Sequence, residues 1–488
     1  MVDRPNIILI ITDQQRHDTV AGLGAHWMKT PNLDRLVASG VSFGNCYTPS
    51  PLCVPARASL FTGMYPHSHH VTMNFYKWEP TWVRLLAEAG YHCANIGKMH
   101  TNPYDAPGGF HQRIVVENKD RPMFLDEPER AYYDHWDIAL RSQGLTRPTR
   151  YARYKRDPAY FKEALGAYPW EYDESMHPDT FVGRTACWWL EERQADAPLF
   201  LEIGFPGPHP PFDPPRRYID MYDDVDVPMP RTTAAELAAQ PPAHRALRQN
   251  MIDKNFDCVA WKNDPSTEAI RRMRRYYAAN VTLIDEQVGN IMSVLERKGY
   301  LKNAIVIFTS DHGENLGDHG HIQKWNMYDT ATKVPLVVWS SDLKTRDVRT
   351  DSLVQLMDIA PTILDYAGVG IPAGWEAVSL RPVLEDGTAT VRDSVYSELY
   401  RDHIQSGSEC IVMRRDARWK AVWYLGESCG ELYDLEADPD ELQNLWDSKQ
   451  HVQIRNEFVQ HIQDWLIRGA IENREQNREK PQPAMAIG

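Results

Sequence analysis

The chain has 488 residues, of which 42% are hydrophobic and 25% are charged, and its formal net charge is −14. A chain of this length can bury a large core, and the composition is that of an ordinary globular protein. The negative charge excludes a general nucleic-acid binder, because no excess of basic residues offsets repulsion by phosphates. It does not exclude a small anionic substrate held in a locally positive pocket.

The seven cysteines are odd in number and form no Cys-x-x-Cys pair. This spacing excludes a disulfide framework and a zinc site made of thiolates. The apolar run at residues 6–12 is too short for a signal peptide or a membrane span. We therefore predict a soluble, cytoplasmic protein with no membrane partner.

The first 390 residues alternate between apolar strands and amphipathic helices, which predicts a main α/β domain with a mostly parallel central sheet. Strands are predicted at residues 6–12, 91–97, 198–205, 304–310 and 334–339, and helices at 32–39, 81–89, 177–194, 266–298 and 357–367. Two stretches, 102–176 and 213–264, lack clear periodicity, and we predict long covering loops there.

The pattern changes after about residue 390. Short alternating segments at 394–400, 410–415 and 418–424 predict a small antiparallel sheet, and a helix is predicted near 450–467. We therefore predict a main domain over 1–390, a C-terminal α+β subdomain over 391–470, and a polar tail over 471–488. The apolar end of this tail suits an arm that reaches another subunit, so a homo-oligomer is expected.

Residues 49–63 are predicted to be a loop that turns into a helix, since Pro55 suits the first helical turn and Gly63 its exit. Cys53 would then lie at a helix N-terminus, where free N–H groups and the macrodipole favour bound anions. Arg57 follows one turn later on the same face. Taken alone, this stretch is also typical of a buried structural cysteine.

Polar residues follow four of the predicted apolar strands, at the carboxyl ends where ligands collect in α/β sheets. They are Asp13, Gln14, Lys98, His100, His209, Asp311 and His312, with Lys324 further along the last loop. Each position taken singly is also typical of a turn at a strand end. The three histidines at 67, 69 and 70 are interpreted as a loop, because nothing nearby completes a set of metal ligands.

The order and spacing of these residues, with the Cys-x-Pro-x-Arg motif at 53–57, resemble the sulfatase family of the alkaline-phosphatase-like superfamily over nearly the whole chain. In that motif the cysteine is oxidised to Cα-formylglycine. The segment 431–435 is similar to the family's C-terminal subdomain. The resemblance, close to arylsulfatases and phosphonate monoester hydrolases, implies a large mostly parallel sheet flanked by helices, with a smaller C-terminal antiparallel sheet.

The resemblance also implies one divalent metal ion, bound by Asp13, Gln14, Asp311 and His312 with an oxygen of the modified Cys53. Carboxylates and an amide oxygen suit Ca²⁺, which we expect, whereas an imidazole ligand admits Mn²⁺ as the alternative. Many sulfatases have a second Asp where Gln14 stands and an Asn where His312 stands. This sequence therefore departs from the common ligand set.

The activity that the resemblance implies is hydrolysis of small-molecule sulfate monoesters, aryl or alkyl, to an alcohol and inorganic sulfate. A hydroxyl of the hydrated aldehyde at Cys53 would attack sulfur and give a covalent formylglycine-sulfate intermediate. Arg57 and Lys98 would hold the nucleophile and the sulfate charge. The formylglycine-generating enzyme is then an expected partner for maturation.

Three further residues receive roles from the same resemblance, and a fourth is added. Lys324 and His209 would bind sulfate oxygens and help protonate the departing alcohol. His100 would take a proton from the remaining hydroxyl, so that sulfate is released and the aldehyde re-forms. Asn74, twenty-one residues after the cysteine, is a candidate substrate contact.

Two alternatives stay open at this point. A phosphonate monoester or phosphodiester hydrolase of the same superfamily would share the formylglycine and the Gln/His variant of the metal set. Such enzymes tend to lack the Lys-x-His pair, so Lys98 and His100 favour sulfate monoesters. A non-catalytic metal-binding scaffold on this fold would not need every acid–base position filled.

The aromatic residues of the predicted loops bear on the leaving group. Tyr104, Phe110, Trp136 and Trp170 would suit an aryl or apolar alkyl group if they lined the site. Aromatic residues on long loops also pack into small cores, and the sequence alone does not decide between the two.

Overall fold

The computed structural model describes six stretches of the chain, residues 4–79, 82–120, 133–194, 196–344, 346–401 and 408–476. Within them, a nine-stranded mixed sheet with helices on both faces is followed by a four-stranded antiparallel sheet. The predicted fold class is confirmed. The domain boundaries at 390 and 470 stay predictions.

The described residues form thirteen strands. They are β1 (Asn6–Asp13), β2 (Val41–Tyr47), β3 (His92–Gly97), β4 (Gln112–Val115), β5 (Leu199–Pro208), β6 (Ala304–Ser310), β7 (Lys333–Val334), β8 (Leu336–Ser340), β9 (Val348–Gln355), β10 (Val395–Tyr400), β11 (Cys410–Arg415), β12 (Trp419–Tyr424) and β13 (Gly430–Asp434). The sequence pattern does not predict β2, β4, β9 or β13, because polar residues interrupt their apolar positions.

The central strand of the large sheet is β1. It runs parallel to β5 on one side and to β6 on the other, with Ile8 opposite Leu201 and Val306. Beyond β5, the strands β3 and β4 continue the parallel half. Beyond β6, β8 is antiparallel to its neighbours, and β9 closes the sheet parallel to β2. The carboxyl ends of β1, β3, β5 and β6 therefore meet at one edge.

Fifteen α-helices lie in the described stretches. They are α1 (Pro31–Ser39), α2 (Cys53–Thr62), α3 (Pro66–His69), α4 (Trp82–Glu88), α5 (His135–Ser142), α6 (Pro158–Ala164), α7 (Pro178–Glu192), α8 (Arg216–Asp220), α9 (Ala234–Ala239), α10 (Pro242–Lys254), α11 (Thr267–Arg297), α12 (Asp329–Thr332), α13 (Ile359–Tyr366), α14 (Arg381–Glu385) and α15 (Val452–Gln476). None of them has the length and apolar composition needed to cross a lipid bilayer. The cytoplasmic location stays a prediction.

Alternate residues of β1 serve two separate cores, because successive side chains of a strand point to opposite faces. Ile8 and Ile10 pack with α1, α7 and α11 on one face, while Ile7, Leu9 and Ile11 pack with α2, α4 and α13 on the other. All five side chains are fully buried. The continuous apolar run therefore predicts the position of this strand correctly.

The two stretches predicted as covering loops contain regular structure, which corrects the sequence interpretation. The first holds β4, α5 and α6, and the second holds α8, α9 and α10. Part of the first, residues 121–132, lies outside the described residues. Short helices in polar sequence are signalled by their caps rather than by periodicity, and Asp134 and Thr233 each form a capping box.

The aromatic residues of these stretches are mostly core residues. Trp136 and Trp170 belong to one core and Phe110 to the other, and each is less than a tenth exposed. Trp136 also donates its indole N–H to the carbonyl of Met176. These three residues therefore pack in the cores, while Tyr104 is half-buried, and a role of any of the four in substrate binding stays a prediction.

The small sheet is a meander of β10 to β13 with α15 packed across it. Phe458 of α15 contacts the core between β12 and β13, and Ile462 packs beside Cys410 and Val412 of β11. The helix continues to Gln476, so the first residues of the predicted tail are helical. Residues 477–488, which include the proposed arm, lie outside the described residues.

Direct hydrogen bonds join the small sheet to the main domain. The Glu398 N–H of β10 donates to the carbonyl of Pro49, four residues before Cys53. Lys420 of β12 lies 2.9 Å from Asp329 Oδ1 at the start of α12. The loop that leads into α2 is therefore fixed in part by residues of the C-terminal sheet.

His67 in α3 forms a second link to this sheet. Its Nδ1 lies 2.6 Å from Glu398 Oε1 and its Nε2 lies 3.5 Å from Glu376 Oε1, while Trp465 of α15 packs edge-on against the ring. Burial favours the neutral ring, but Glu398 and then Glu376 raise the pKa of His67 above its usual value. The charged imidazole therefore stabilises the folded protein.

This raised pKa predicts a stability contribution that depends on pH. The contribution is complete below the unfolded pKa of about 6.5 and is lost as pH rises through the higher folded value. His67→Gln should therefore lower the free energy of unfolding by about 1–2 kcal/mol near pH 6, and by less near pH 9. Urea unfolding at both pH values measures this difference, with the exposed His26→Gln as control. An equal loss at both pH values would contradict the charged pair.

Candidate active site

Cys53 is the first residue of α2. Leu52 precedes it in an extended conformation, and the helix ends at Gly63, which adopts a left-handed conformation with φ of 70°. The thiol is buried, with 2% of the residue exposed. The Asn74 side-chain oxygen accepts a hydrogen bond of 3.2 Å from the Val54 N–H. Asn74 therefore satisfies a free N–H of this helix terminus, beside Cys53.

Four parallel strands bring the predicted residues together beside Cys53. Asp13 ends β1, and Asp311 follows β6 directly. Lys98 and His100 follow β3, and His209 follows β5. The backbone turns sharply at these ends, as shown by positive φ at Gln14 and His100. Loops with such strained residues are common at functional sites.

Asp13, Cys53, Asp311 and His312 form a compact buried group. One donor atom from each lies within 4.8 Å of the others. His312 Nδ1 lies 3.0 Å from the Gly313 carbonyl, so Nδ1 carries the proton and the lone pair of Nε2 is left for the group. Two carboxylates and an imidazole nitrogen are donors that suit a divalent cation. The residues present therefore fit a metal ion.

Gln14 borders this group through its neighbours. Its side-chain oxygen accepts a hydrogen bond of 2.6 Å from Lys324 Nζ, and its amide donates to Glu314. Lys324 Nζ is in turn 3.1 Å from Cys53 Sγ. Gln14 therefore connects Lys324 to the acidic loop after β6, and its role as a metal ligand stays a prediction.

Three buried cations surround residue 53. Arg57 Nε lies 2.9 Å from Asp311 Oδ2, and its Nη2 lies 3.1 Å from Asp13 Oδ2. Lys98 Nζ lies 2.6 Å from the same Asp13 oxygen. Burial opposes ionisation of Asp13, but the cations, with Lys98 first, hold its pKa well below the usual value. The carboxylate is therefore charged and ready to bind a cation.

The thiol of Cys53 itself is a weak nucleophile in this setting. Burial, and then the nearby carboxylate of Asp13, raise its pKa to about 11. Lys324 opposes this shift but does not overcome it. The unmodified residue would therefore stay protonated at neutral pH. A protonated thiol is a weak nucleophile, because only the thiolate reacts readily.

The two predicted histidines are neutral and buried. His209 Nδ1 lies 2.8 Å from the Pro210 carbonyl, and its Nε2 lies 3.6 Å from Asp257 Oδ2. His100 Nδ1 has no hydrogen-bond partner in the part of the chain that the structure describes. Burial, and then the neighbouring lysines, lower the pKa of both rings well below the usual value. Each ring can therefore accept a proton.

The sequence analysis does not identify three residues that lie beside the site. Asn118 accepts a hydrogen bond from Lys98 Nζ, Asp257 faces His209, and Glu314 accepts from Gln14. Glu314 could have been found, because it follows the Asp311 motif by three residues. Asn118 and Asp257 lie in the stretches without periodicity, where no local pattern marks them.

Comparisons with known proteins identify the family. The family model described as "Sulfatase" matches residues 5–369, and the model described as "N-sulphoglucosamine sulphohydrolase, C-terminal" matches residues 317–467. The chain is 31% identical to an arylsulfatase of Clostridium perfringens, with 97% of this chain and 95% of the relative covered. It is 29% identical to a choline-sulfatase of Rhizobium meliloti, with 91% and 82% covered.

Solved structures give the same result for the fold. The phosphonate monoester hydrolase of Agrobacterium radiobacter superimposes with a TM-score of 0.79 at 26% identity, covering 96% of both chains. The chain belongs to the sulfatase family, a class of sulfuric ester hydrolases in the alkaline-phosphatase-like superfamily. The predicted family and enzyme class are confirmed.

The buried donor group predicts stabilisation by divalent cations. After treatment with a chelator, added Ca²⁺ or Mn²⁺ should stabilise the folded protein by about 2–3 kcal/mol at a hundredfold excess over Kd. Asp311→Asn removes a charged donor and should abolish most of this effect, whereas Asp257→Asn lies outside the group and should retain it. Thermal unfolding with each ion measures the shift. A full shift in the Asp311 variant would contradict the metal site.

Proposed function

We propose that this chain hydrolyses sulfate monoesters to an alcohol and inorganic sulfate, with residue 53 acting after oxidation to Cα-formylglycine. The observation that carries the proposal is the setting of this residue. It lies at a helix N-terminus, 3.1 Å from Lys324 Nζ, with Arg57 and Lys98 bound to the carboxylate of Asp13 beside it. Fixed cations in a buried site stabilise a sulfate group and the charge that develops on it.

The weak nucleophilicity of the thiol supports the need for this modification. A pKa of about 11 leaves Cys53 protonated at neutral pH, and sulfur offers no second hydroxyl with which to expel the product. When oxidised and hydrated, residue 53 would supply two hydroxyls, one to attack sulfur and one to release sulfate. Because the residue is 2% exposed, the formylglycine-generating enzyme would have to act before α2 is packed.

Arg57 and the two carboxylates would form the metal-binding part of the site. Arg57 orients the carboxylates of Asp13 and Asp311 with two separate nitrogens. These carboxylates, with His312, would hold a divalent ion, and when bound that ion would acidify the attacking hydroxyl. We expect Ca²⁺, with Mn²⁺ as the alternative.

Lys324 and His209 act on the departing alcohol in this proposal. The pKa of Lys324 lies above the usual value despite burial, because Cys53 and Asp13 favour its charged form. Its ammonium would neutralise a sulfate oxygen and could give a proton to the departing oxygen. His209 donates its Nδ1 proton to the Pro210 carbonyl, so it would first have to take up a proton at Nε2 before it could pass one to the alcohol. His100, with an unpartnered Nδ1 among the described residues, would take the proton from the second hydroxyl.

A phosphonate monoester or phosphodiester hydrolase is the second candidate. The superposition on a phosphonate monoester hydrolase favours it, and sulfate and phosphonate groups are stabilised by the same cations. Lys98 and His100 are both buried at the site, which favours the sulfate monoester. Relatives named arylsulfatase and choline-sulfatase support a small sulfate ester with an aryl or alkyl group as substrate.

A direct comparison of substrates tests this assignment. With formylglycine-bearing protein and a defined metal ion, kcat/KM should be higher for an aryl sulfate than for a phosphonate monoester, because the Lys98 and His100 pair suits the sulfate. Both substrates should carry the same leaving group, so that only the transferred group differs. A clear preference for the phosphonate would reverse the order of the two candidates and leave the site intact.

A substitution at residue 53 tests the nucleophile. Cys53→Ala should abolish turnover while the protein still unfolds cooperatively, because the reacting atom is lost and little volume changes. Cys93→Ala is the matched control, since Cys93 is equally buried but lies near the start of β3, and it should keep its turnover. Turnover in the Cys53 variant above the level without enzyme would remove this nucleophile.

A further inference from the structure

A second cavity lies away from the active site, at the outer edge of the large sheet. We call it the edge pocket. Its volume is about 960 Å³, and it is lined by Asn45 of β2, residues 349–353 of β9, residues 387–390, 392 and 393, and residues 415–419 between β11 and β12. No residue of the candidate active site lines it. The pocket therefore joins the two sheets at a place where the proposed reaction does not occur.

Two buried side chains of the edge pocket have unused hydrogen-bonding atoms. Arg415 and Ser352 are each 7% exposed. Within the part of the chain that the structure describes, Arg415 Nε, Arg415 Nη1 and Ser352 Oγ have no hydrogen-bond partner. Buried polar groups are nearly always bonded, and an unpaired guanidinium is especially costly. Two such groups on one cavity indicate that it is built to bind an acceptor.

The charges around Arg415 indicate that this acceptor is an anion. Arg349 also lines the pocket, and Lys333 lies close to both arginines. Burial lowers the pKa of Lys333 below its usual value. Asp329 opposes this shift, and repulsion from Arg415 and Arg349 adds to it. The buried Asp329 already offsets part of this repulsion, because Lys420, Lys333 and Arg415 hold its pKa below the usual value despite burial. An anion in the pocket would offset more of the repulsion between Arg415 and Arg349.

Two further arginines of the pocket are already paired. Arg418 lies 2.6 Å from Asp434, and Arg392 is bonded to Asp358. Three carboxylates also line the pocket. Those of Asp351 and Asp393 are exposed to solvent, where water screens them, while the half-buried Asp416 accepts from the Trp419 N–H and lies 3.7 Å from Arg414 Nη1. Arg415 is instead held against the Tyr47 ring at 5.1 Å, which positions its guanidinium, while Nε and Nη1 have no partner among the residues that the structure describes. Arg415 is therefore the binding group of this pocket.

We propose that the edge pocket binds a tetrahedral oxyanion, sulfate or phosphate. Arg415 donates through Nε and Nη1, Ser352 donates through its hydroxyl, and Arg349 adds charge. A dianion with four acceptor oxygens can use these donors together, whereas a halide cannot. The bound anion would connect β9 of the large sheet to β11 of the small sheet. This site is independent of the proposed function.

Isothermal titration with sodium sulfate at constant ionic strength tests the site. Wild-type protein should bind one more sulfate than Arg415→Gln, whose Kd for the edge pocket should rise by about tenfold or more. Arg414→Gln is the matched control, because Arg414 is equally buried on the opposite face of β11, against Phe458, and does not line the pocket. It should bind sulfate as wild type does. Turnover should be unchanged in both variants.

Further arms make the result decisive. Ser352→Ala keeps the charge of the pocket and should weaken sulfate binding by about fivefold. This variant tests the site if the Arg415 variant does not fold. Phosphate in place of sulfate identifies the preferred anion, and stronger binding of either supports the site. Equal binding by wild type and both pocket variants would overturn the proposal. Equal heats with chloride or acetate would also overturn it, since they would show only general screening of charge.

Discussion

The buried guanidinium of Arg57 is the interaction on which the site depends. It joins the ends of β1 and β6 by bonding to Asp13 and Asp311, and a third nitrogen donates to the Lys98 carbonyl at the end of β3. One side chain of α2 thus ties together the carboxyl ends of three strands of the parallel half of the sheet, β1, β3 and β6. Without this cation, two carboxylates in a buried space would repel each other and neither strand end would keep its position.

The same arrangement explains why the site can be both stable and reactive. Buried charges are costly unless each one has a partner, and here cations and carboxylates alternate around residue 53. In the proposed reaction, these charges would be fixed by the fold before a substrate arrives, so that no reorganisation would be needed when negative charge develops. The neutral histidines, His100 and His209, lie at this charged centre and are free to exchange protons.

The sequence predicts the parts of this molecule that follow from local patterns. The apolar run of β1 predicts a strand buried on both faces, and Asp13 at its end marks the site edge. Pro55 and Gly63 locate α2 correctly. What the sequence does not show depends on long-range contacts. The strands β2 and β9 contain polar residues that become buried through pairing, as at Ser42, which lies opposite Arg349.

Asp257 is a further example, because no pattern near residue 257 indicates that it will face His209. The sequence also does not decide whether the aromatic residues of the predicted loops are buried. The burial of Trp136 and Trp170 depends on nearby helices whose only sequence signal is a cap. The eleven residues predicted for the site nevertheless lie in or beside one buried group. This agreement follows from topology, because parallel strands must present their carboxyl ends to the same side of a sheet.

The hydrogen bond from the Glu398 N–H to the Pro49 carbonyl has a consequence for how this enzyme can be divided. The loop before residue 53 is anchored by a strand encoded almost 350 residues later. A shortened gene product ending near residue 390 would retain every reacting group and still lack the brace that sets their spacing. The C-terminal sheet thus supports the loop that carries residue 53, and its removal would leave the Pro49 carbonyl without this donor.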